Sequence, residues 1–239
     1  MFSEFEWNIS KGKNRAKVLV LKMDSPQDGN SLGKDEANFL KSRLNKKNFD
    51  ALVLGQQPSR LFCAGGKLKE QKQAKTKQAS LNTQKQIRQV LEQIHTLAVP
   101  TCAMVQGDVY GGGVELLSCF DYVISSPHSF FGLWQRKLGV TFGWGGGSRL
   151  HQRLSAQQLR QLYLTTKTIS AYEAQRLGLI DEVLADTSIE QKAQDWLEQV
   201  LSYPQNSLVA YRQMTPSNEV KTFTQLWMGP THKKVLSRF

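Results

Sequence analysis

The chain has no apolar stretch approaching the roughly 20 residues that a membrane-spanning helix needs. Its first residues, Met1-Phe2-Ser3-Glu4-Phe5-Glu6-Trp7, carry an early acidic pair where an export signal would have an apolar centre. A cytoplasmic protein without a membrane partner is therefore expected. Cysteine is scarce. Cys63, Cys102 and Cys119 each lie in or beside an apolar run, and a small, odd set of this kind suits buried, reduced thiols and not a disulfide framework. Cys63 stands beside a glycine turn, yet no histidine or basic group bears a recognisable catalytic relation to it. The histidines His95, His128, His151 and His232 lack metal-ligand spacing, so no metal is expected. Internal repeats and low-complexity segments are also missing.

What is present is a chain of 239 residues with 40% hydrophobic content. That length suits one domain, or one domain with a small helical appendage, and buries a sizeable core without covalent staples. The net charge is +11, and part of it is clustered in Lys67, Lys69, Lys72, Lys75 and Lys77 within a glutamine-rich stretch. Such a cluster attracts polyanions such as nucleic acid, anionic lipid or a phosphorylated cofactor; it is equally a solvated helical face. No nucleic-acid-binding motif accompanies the charge and no aromatics are interleaved with it, so nucleic acid is not the expected partner.

Hydrophobic patterning predicts strands at Ala16–Met23, Ala51–Leu54, Leu61–Ala64, Thr101–Val105 and Tyr122–Ile124. Helical spacing covers Lys34–Asn45, Asn82–Leu97, Ser148–Leu154, Ala156–Leu164, Ala171–Leu177 and Ile189–Leu201, with a helical tail over Thr222–Phe239 broken at Gly229-Pro230. Strands alternating with helices define an α/β class. The Lys/Gln-rich stretch from Lys67 to Gln86 is the segment expected to be mobile.

Two glycine turns carry the chemistry. In Tyr110-Gly111-Gly112-Gly113-Val114-Glu115 a strand runs through glycines into a helix start. Backbone N–H groups bared in this way approach a ligand closely, and the helix start adds partial positive charge. The run can polarise an oxygen that becomes negative during a reaction; tight strand-to-helix packing would also call for it. A phosphate-binding loop is excluded because the lysine and Ser/Thr that should follow are absent, and the spacing is not that of a dinucleotide fingerprint. The second turn, Ala64-Gly65-Gly66, offers another N–H and is followed by Lys67-Leu68-Lys69. Together they would suit a thioester with a polyphosphate tail.

These residues resemble the crotonase, or enoyl-CoA hydratase/isomerase, superfamily. The resemblance is carried by Leu61-Phe62-Cys63-Ala64-Gly65-Gly66, by Pro100 to Asp121 with Gln106-Gly107 and Gly111 to Glu115, by Phe131 to Leu150 with Leu138-Gly139 and Gly145 to Leu150, and by Ile169 to Ala174 with Gly178-Leu179-Ile180. It implies a ββα superhelix over residues 1–185 and a helical C-terminal oligomerisation region over 186–239, giving a homotrimer or dimer of trimers. It implies an acyl-CoA or acyl-carrier thioester as partner, with CoA entering only as part of the substrate and no separate cofactor. The oxyanion hole falls on Gly66 and Gly112, and substrate binding on Ala64, Gly65, Lys67, Leu68 and Trp134.

Departures from the family pattern point to the reaction. Hydratases of the family use two glutamates; the first position holds Glu115, but the second holds Gln135, and an amide cannot exchange a proton at neutral pH. Glu115 and Gln135 are the catalytic candidates. Decarboxylases of the family commonly keep the first glutamate and lose the second, and Leu226-Trp227-Met228-Gly229-Pro230 and Gly143-Trp144-Gly145-Gly146 resemble an ethylmalonyl-CoA decarboxylase-like branch. The leading expectation is an acyl-CoA lyase that decarboxylates a malonyl-type thioester. Alternatives are an enoyl-CoA hydratase or isomerase using Glu115, and a non-catalytic acyl-CoA-binding or RNA-binding relative. Lys67 faces a substrate carboxylate, a CoA phosphate or solvent, while Trp134 and Trp144 line an acyl pocket or pack in the core.

Overall fold

The computed structural model describes residues 1–11 and 14–238. The chain opens with a hairpin of β1 (Phe2–Lys11) and β2 (Asn14–Met23), then α1 (Lys34–Leu44). A ββα unit follows, repeated with variations: a long strand, a short strand, then helix. The first has β3 (Ala51–Gln56), β4 (Leu61–Cys63), α2 (Leu68–Gln73) and α3 (Lys77–His95). The second has β5 (Thr101–Val105), β6 (Asp108–Tyr110) and α4 (Gly112–Leu117). The third has β7 (Tyr122–Ser125), β8 (Phe130–Gly132), α5 (Gly146–Arg153) and α6 (Ala156–Thr165). The chain ends with β9 (Thr168–Ser170), α7 (Ala171–Leu177), β10 (Glu182–Val183), α8 (Asp186–Leu201), α9 (Gln205–Gln213), α10 (Glu219–Leu226) and α11 (Pro230–Leu236).

The long strands form a six-stranded sheet in the order β1-β2-β3-β5-β7-β10, and the short ones a four-stranded sheet in the order β4-β6-β8-β9. Among the described residues only the β1–β2 and β8–β9 pairs are antiparallel. Repetition of one unit stacks the C-terminal ends of β4, β6 and β8 side by side, so the turns that follow them share one edge of the molecule. This ββα superhelix is the architecture expected from the resemblance.

The central strands are apolar on both faces, as parallel strands covered on both sides must be. Leu19, Leu21, Leu52, Leu54, Ala103, Val105 and Val123 face the main core with Phe62 and Phe131. The alternate residues Val18, Val20, Val53, Cys102, Met104 and Ile124 face outward and are covered by Ile189, Ala193, Leu197 and Leu201 of α8. Burying each large aliphatic side chain of α8 stabilises the fold by about 1.5–3 kcal/mol. The division at residue 185 therefore cuts through the packed body: α8 belongs with the core, and the segment without buried residues is α9–α11.

The Lys/Gln-rich stretch that was expected to be mobile is helical. Thr76 caps α3 by accepting from the Ala79 N–H at 3.1 Å, and Ile87, Val90, Leu91 and Ile94 form the buried stripe that anchors it. The predicted break in the tail is real, with α10 and α11 separated at Gly229; Phe239, the last residue of that predicted tail, lies outside the described residues.

Candidate active site

The turns after β4 and β6 are one superhelical repeat apart and touch. A Cβ on Gly65 would lie 2.9 Å from the Gly112 nitrogen and 3.3 Å from the Tyr110 carbonyl oxygen, so this contact exists only because residue 65 is glycine. Gly65 also holds φ at 99° and Gly111 at 54°, conformations that other residues rarely adopt. The Gly65-Gly66 turn is fixed from the other side, where the Leu32 N–H donates to the Gly65 carbonyl at 2.8 Å and the Lys67 N–H donates to the Leu32 carbonyl at 3.0 Å. Among the described residues, neither the Gly66 N–H nor the Gly112 N–H donates to any protein acceptor. A helix start leaves its first N–H groups free by construction, which accounts for Gly112. Two unclaimed N–H groups on touching turns can hold one developing oxyanion.

Glu115 follows one turn into α4 and is 2% exposed. Its Oε2 accepts the N–H of Trp144 at 2.9 Å and of Gly146 at 3.0 Å, and its Oε1 accepts the N–H of Gly143 at 3.3 Å and the Gln135 amide Nε2 at 3.2 Å. A carboxylate offers about four lone-pair positions, and these four donors fill them. Gln135 is 5% exposed, and its Oε1 has no partner among the described residues. The structure thus brings the two catalytic candidates into direct contact, and it shows Glu115 anchoring the 143–146 loop.

The other predicted site residues fall into two groups. Ala64, Gly65 and Gly66 shape the turn itself. Lys67 lines a cavity of about 310 Å³ with Lys34, Gln71, Thr83 and Gln84, but its ammonium is committed to protein carboxylates: Glu36 at 2.8 Å, Asp28 at 3.8 Å and Glu70 at 4.0 Å. Burial pulls this ammonium down, yet Glu36 beside it, with Glu70 and Asp28, holds it above the usual lysine value. Glu36 also accepts the Gly33 N–H at the start of α1, so Lys67 ties the glycine turn to that helix. Leu68 is exposed at the first position of α2.

Trp134 packs against Tyr110, the residue before the Gly111 turn. It stacks on Tyr110 with ring centroids 3.8 Å apart, carries Lys137 over its other face at 3.7 Å, and requires glycine at position 132, where a Cβ would meet the indole. Its Nε1 is buried without a partner among the described residues. The three thiols are buried, and burial pushes Cys63 and Cys119 up to about 12 and raises Cys102 as well, which suits packing and not nucleophilic chemistry. Among the described residues no group of three or more His, Cys, Asp or Glu is placed to hold a metal, and no helix is long and apolar enough to cross a membrane.

Sequence reasoning left Trp144 open between an acyl pocket and the core, and gave Arg149 no role. Trp144 is buried against both glycine turns, and Arg149 is a buried cation that donates Nη2 to the Trp144 carbonyl at 2.8 Å and Nε to Ser118 Oγ at 3.0 Å. A large aromatic inside Gly143-Trp144-Gly145-Gly146-Gly147 was the available signal, since glycines on both sides of one bulky ring mark a place where backbone and ring approach closely.

Known proteins resemble this chain in sequence and in fold. Ethylmalonyl-CoA decarboxylase of Rattus norvegicus is 29% identical over 192 residues, which cover 74% of this chain and 64% of that protein. Mitochondrial methylglutaconyl-CoA hydratase of Homo sapiens is 29% identical over 171 residues, covering 70% of this chain and 50% of the relative. The matched part thus spans between half and two thirds of these relatives' lengths. The crystal structure of an enoyl-CoA hydratase from Mycobacterium smegmatis superposes with a TM-score of 0.85 at 19% identity, covering 98% of this chain and 94% of that one, a likeness of fold. Residues 13–226 match the sequence profile of the enoyl-CoA hydratase/isomerase family. The chain belongs to that family, within the crotonase superfamily.

Proposed function

We propose that the protein is an acyl-CoA lyase that holds a thioester enolate between the N–H groups of Gly66 and Gly112, and that its reaction is decarboxylation of a malonyl-type acyl-CoA. The observation that carries this reading is the pair of unclaimed N–H groups on touching turns. In the reaction the bond from the α-carbon to the carboxylate breaks, carbon dioxide leaves, and the electron pair passes into the thioester to form the enolate. Donors aimed at the resulting oxyanion lower the barrier, and loss of one such donor typically costs about 10²–10³-fold in rate. No protein base is needed, because the departing group is not a proton.

The Glu115–Gln135 contact supports decarboxylation over hydration. A hydratase needs a water between two proton-transferring groups; here the two side chains hydrogen-bond to each other at 3.2 Å and Glu115 is otherwise engaged with backbone. Similarity to a protein named ethylmalonyl-CoA decarboxylase agrees with this choice. Hydration is the second reading, favoured by the buried, unpartnered Oε1 of Gln135, which could accept a hydrogen bond from a water. In the same proposal the exposed apolar side chains of α9–α11, among them Val220, Phe223 and Trp227, form contacts between copies in a trimer.

The deciding experiment incubates the protein separately with malonyl-type and 2-enoyl CoA thioesters and follows carbon dioxide release and loss of the enoyl absorbance. Carbon dioxide release is the expected dominant activity. Hydration faster than decarboxylation would overturn the proposal, and silence with both substrates would favour a non-catalytic thioester binder. Gly66→Pro, which removes one donor N–H, should abolish turnover in a protein that still folds.

A further inference from the structure

One side chain stands directly against both turns of the thioester site. Trp144 is 3% exposed. A Cβ on Gly66 would lie 3.4 Å from its Cζ2 and 3.8 Å from its Cη2; a Cβ on Gly112 would lie 2.6 Å from the same Cη2 and would collide with Cζ3. The six-membered ring of one indole therefore covers the α-carbons of both glycines whose N–H groups are free.

The residue is held at three points, two on its backbone and one on the ring itself. The Trp144 N–H donates to Glu115, its carbonyl accepts from Arg149, and its Nε1 donates to Gln84 Oε1 at 2.9 Å across the sequence on α3. Glu115 and Arg149 are themselves buried, and Gly146 must lack a side chain because a Cβ there would sit 2.6 Å from the Glu115 Cβ. Swinging the indole away would break its hydrogen bond to Gln84 and open a close-packed region. It is a wall, held at a set distance from the two donors.

A rigid wall at this place sorts substrates by the size of the carbons next to the thioester. We infer that Trp144 is the specificity-determining residue of the site and restricts it to short acyl groups, with Glu115, Arg149 and Gln84 acting as positioning residues that keep the ring in place. The neighbouring cavity, which shares Gln84 with the ring's anchor, has a volume of about 310 Å³. Its walls include Lys67, the residue after the first glycine turn, and not the indole itself. The inference rests on the thioester reading proposed above.

The test measures binding of acetyl-, butyryl-, octanoyl- and dodecanoyl-CoA by calorimetry to the unaltered chain and to Trp144→Ala and Trp144→Phe, with circular dichroism to establish folding. The unaltered chain should bind the short esters and discriminate against octanoyl-CoA. Trp144→Ala should raise octanoyl relative to butyryl affinity by about tenfold or more, a change that one to two methylenes of steric relief can supply, and Trp144→Phe should move the same ratio less. The ratio is read within each variant, so general loss of stability does not move it, and Trp144→Phe decides the matter if the alanine variant does not fold. Short esters bound by every folded variant with an unchanged ratio would overturn the role of Trp144 and leave the thioester reading standing. No acyl-CoA bound by any form would overturn the thioester reading, and this inference with it.

Discussion

Trp144 and Trp227 are both tryptophans within two residues of a glycine, and their surroundings are opposite. Trp144 is 3% exposed, and its N–H, its carbonyl and its ring nitrogen all have partners. Trp227 is 57% exposed; it stacks on Phe223 and His232 and lines a groove with Leu226 and Val235, and no core residue covers it. The first environment is complete within one chain. The second is apolar and largely exposed, and in the trimer proposed above it is a contact between copies. The surroundings of Trp144 are buried and hydrogen-bonded, whereas Trp227 and its neighbours in α9–α11 are exposed.

The comparison breaks most sharply at Glu115. In Glu115→Ala three backbone N–H groups and the Gln135 amide lose their acceptor. Each orphaned buried donor costs about 1–3 kcal/mol, so chemical denaturation should show a loss of several kcal/mol; a loss below about 1 kcal/mol, the ordinary effect of a substitution, would mean that the loop holds without it. Gly113→Ala tests the same packing by addition, because its Cβ would run into the Cys63 carbonyl oxygen and lie 3.0 Å from the Cys63 Cβ. Overpacking of that kind should lower stability by about 1–3 kcal/mol, read from the thermal midpoint.

At the other region the expectation reverses. Phe223→Ser combined with Trp227→Ser should change protomer stability by no more than about 0.5 kcal/mol per residue, yet sedimentation should show a smaller assembly than the unaltered chain forms. Unchanged mass would remove α10 from the proposed contact. The smallest effect concerns His95 at the end of α3. Burial, and then the charge of Arg149, hold its imidazole below the usual value, with Glu92 opposing. The unfolded chain takes up this proton at its ordinary pKa, about 6.5, before the folded chain does. The stability involved is present above that pH and is lost as pH falls through it toward the lowered folded value. Thermal midpoints should drop slightly more on acidification than those of His95→Gln.

Much of the site could be read from the sequence because its central parts are local. Gly111 to Glu115 and Ala64 to Gly66 announce themselves as glycines between a strand and a helix, and both turns lie where that pattern implies. What the sequence did not disclose is long-range. That the Glu115 carboxylate faces the N–H groups of residues 143, 144 and 146 depends on how the third ββα unit stacks on the second, and no local pattern encodes it. Lys67 looked available because its neighbours in sequence are lysines, while its actual partners Glu36 and Asp28 arrive from another part of the chain. The strand β1 was not predicted, although Phe5, Trp7 and Ile9 alternate with Glu6 and Asn8; Phe2 falls out of that register, and Phe5 is turned to solvent. The Lys/Gln-rich helix segment was misjudged for the converse reason: its order comes from the apolar stripe of α3 further along, and not from its own composition.

The four-donor grip on Glu115 has a stereochemical consequence. A carboxylate whose acceptor positions are all taken by backbone and amide donors is not free to turn toward a carbanion. On the decarboxylation reading, the hydrogen that replaces carbon dioxide then comes from solvent, and turnover in heavy water should leave one deuterium on the α-carbon of the product. For an α-substituted malonyl thioester, the proposed placing of the Trp144 indole over one face of the enolate would direct the deuterium to one of the two enantiotopic positions.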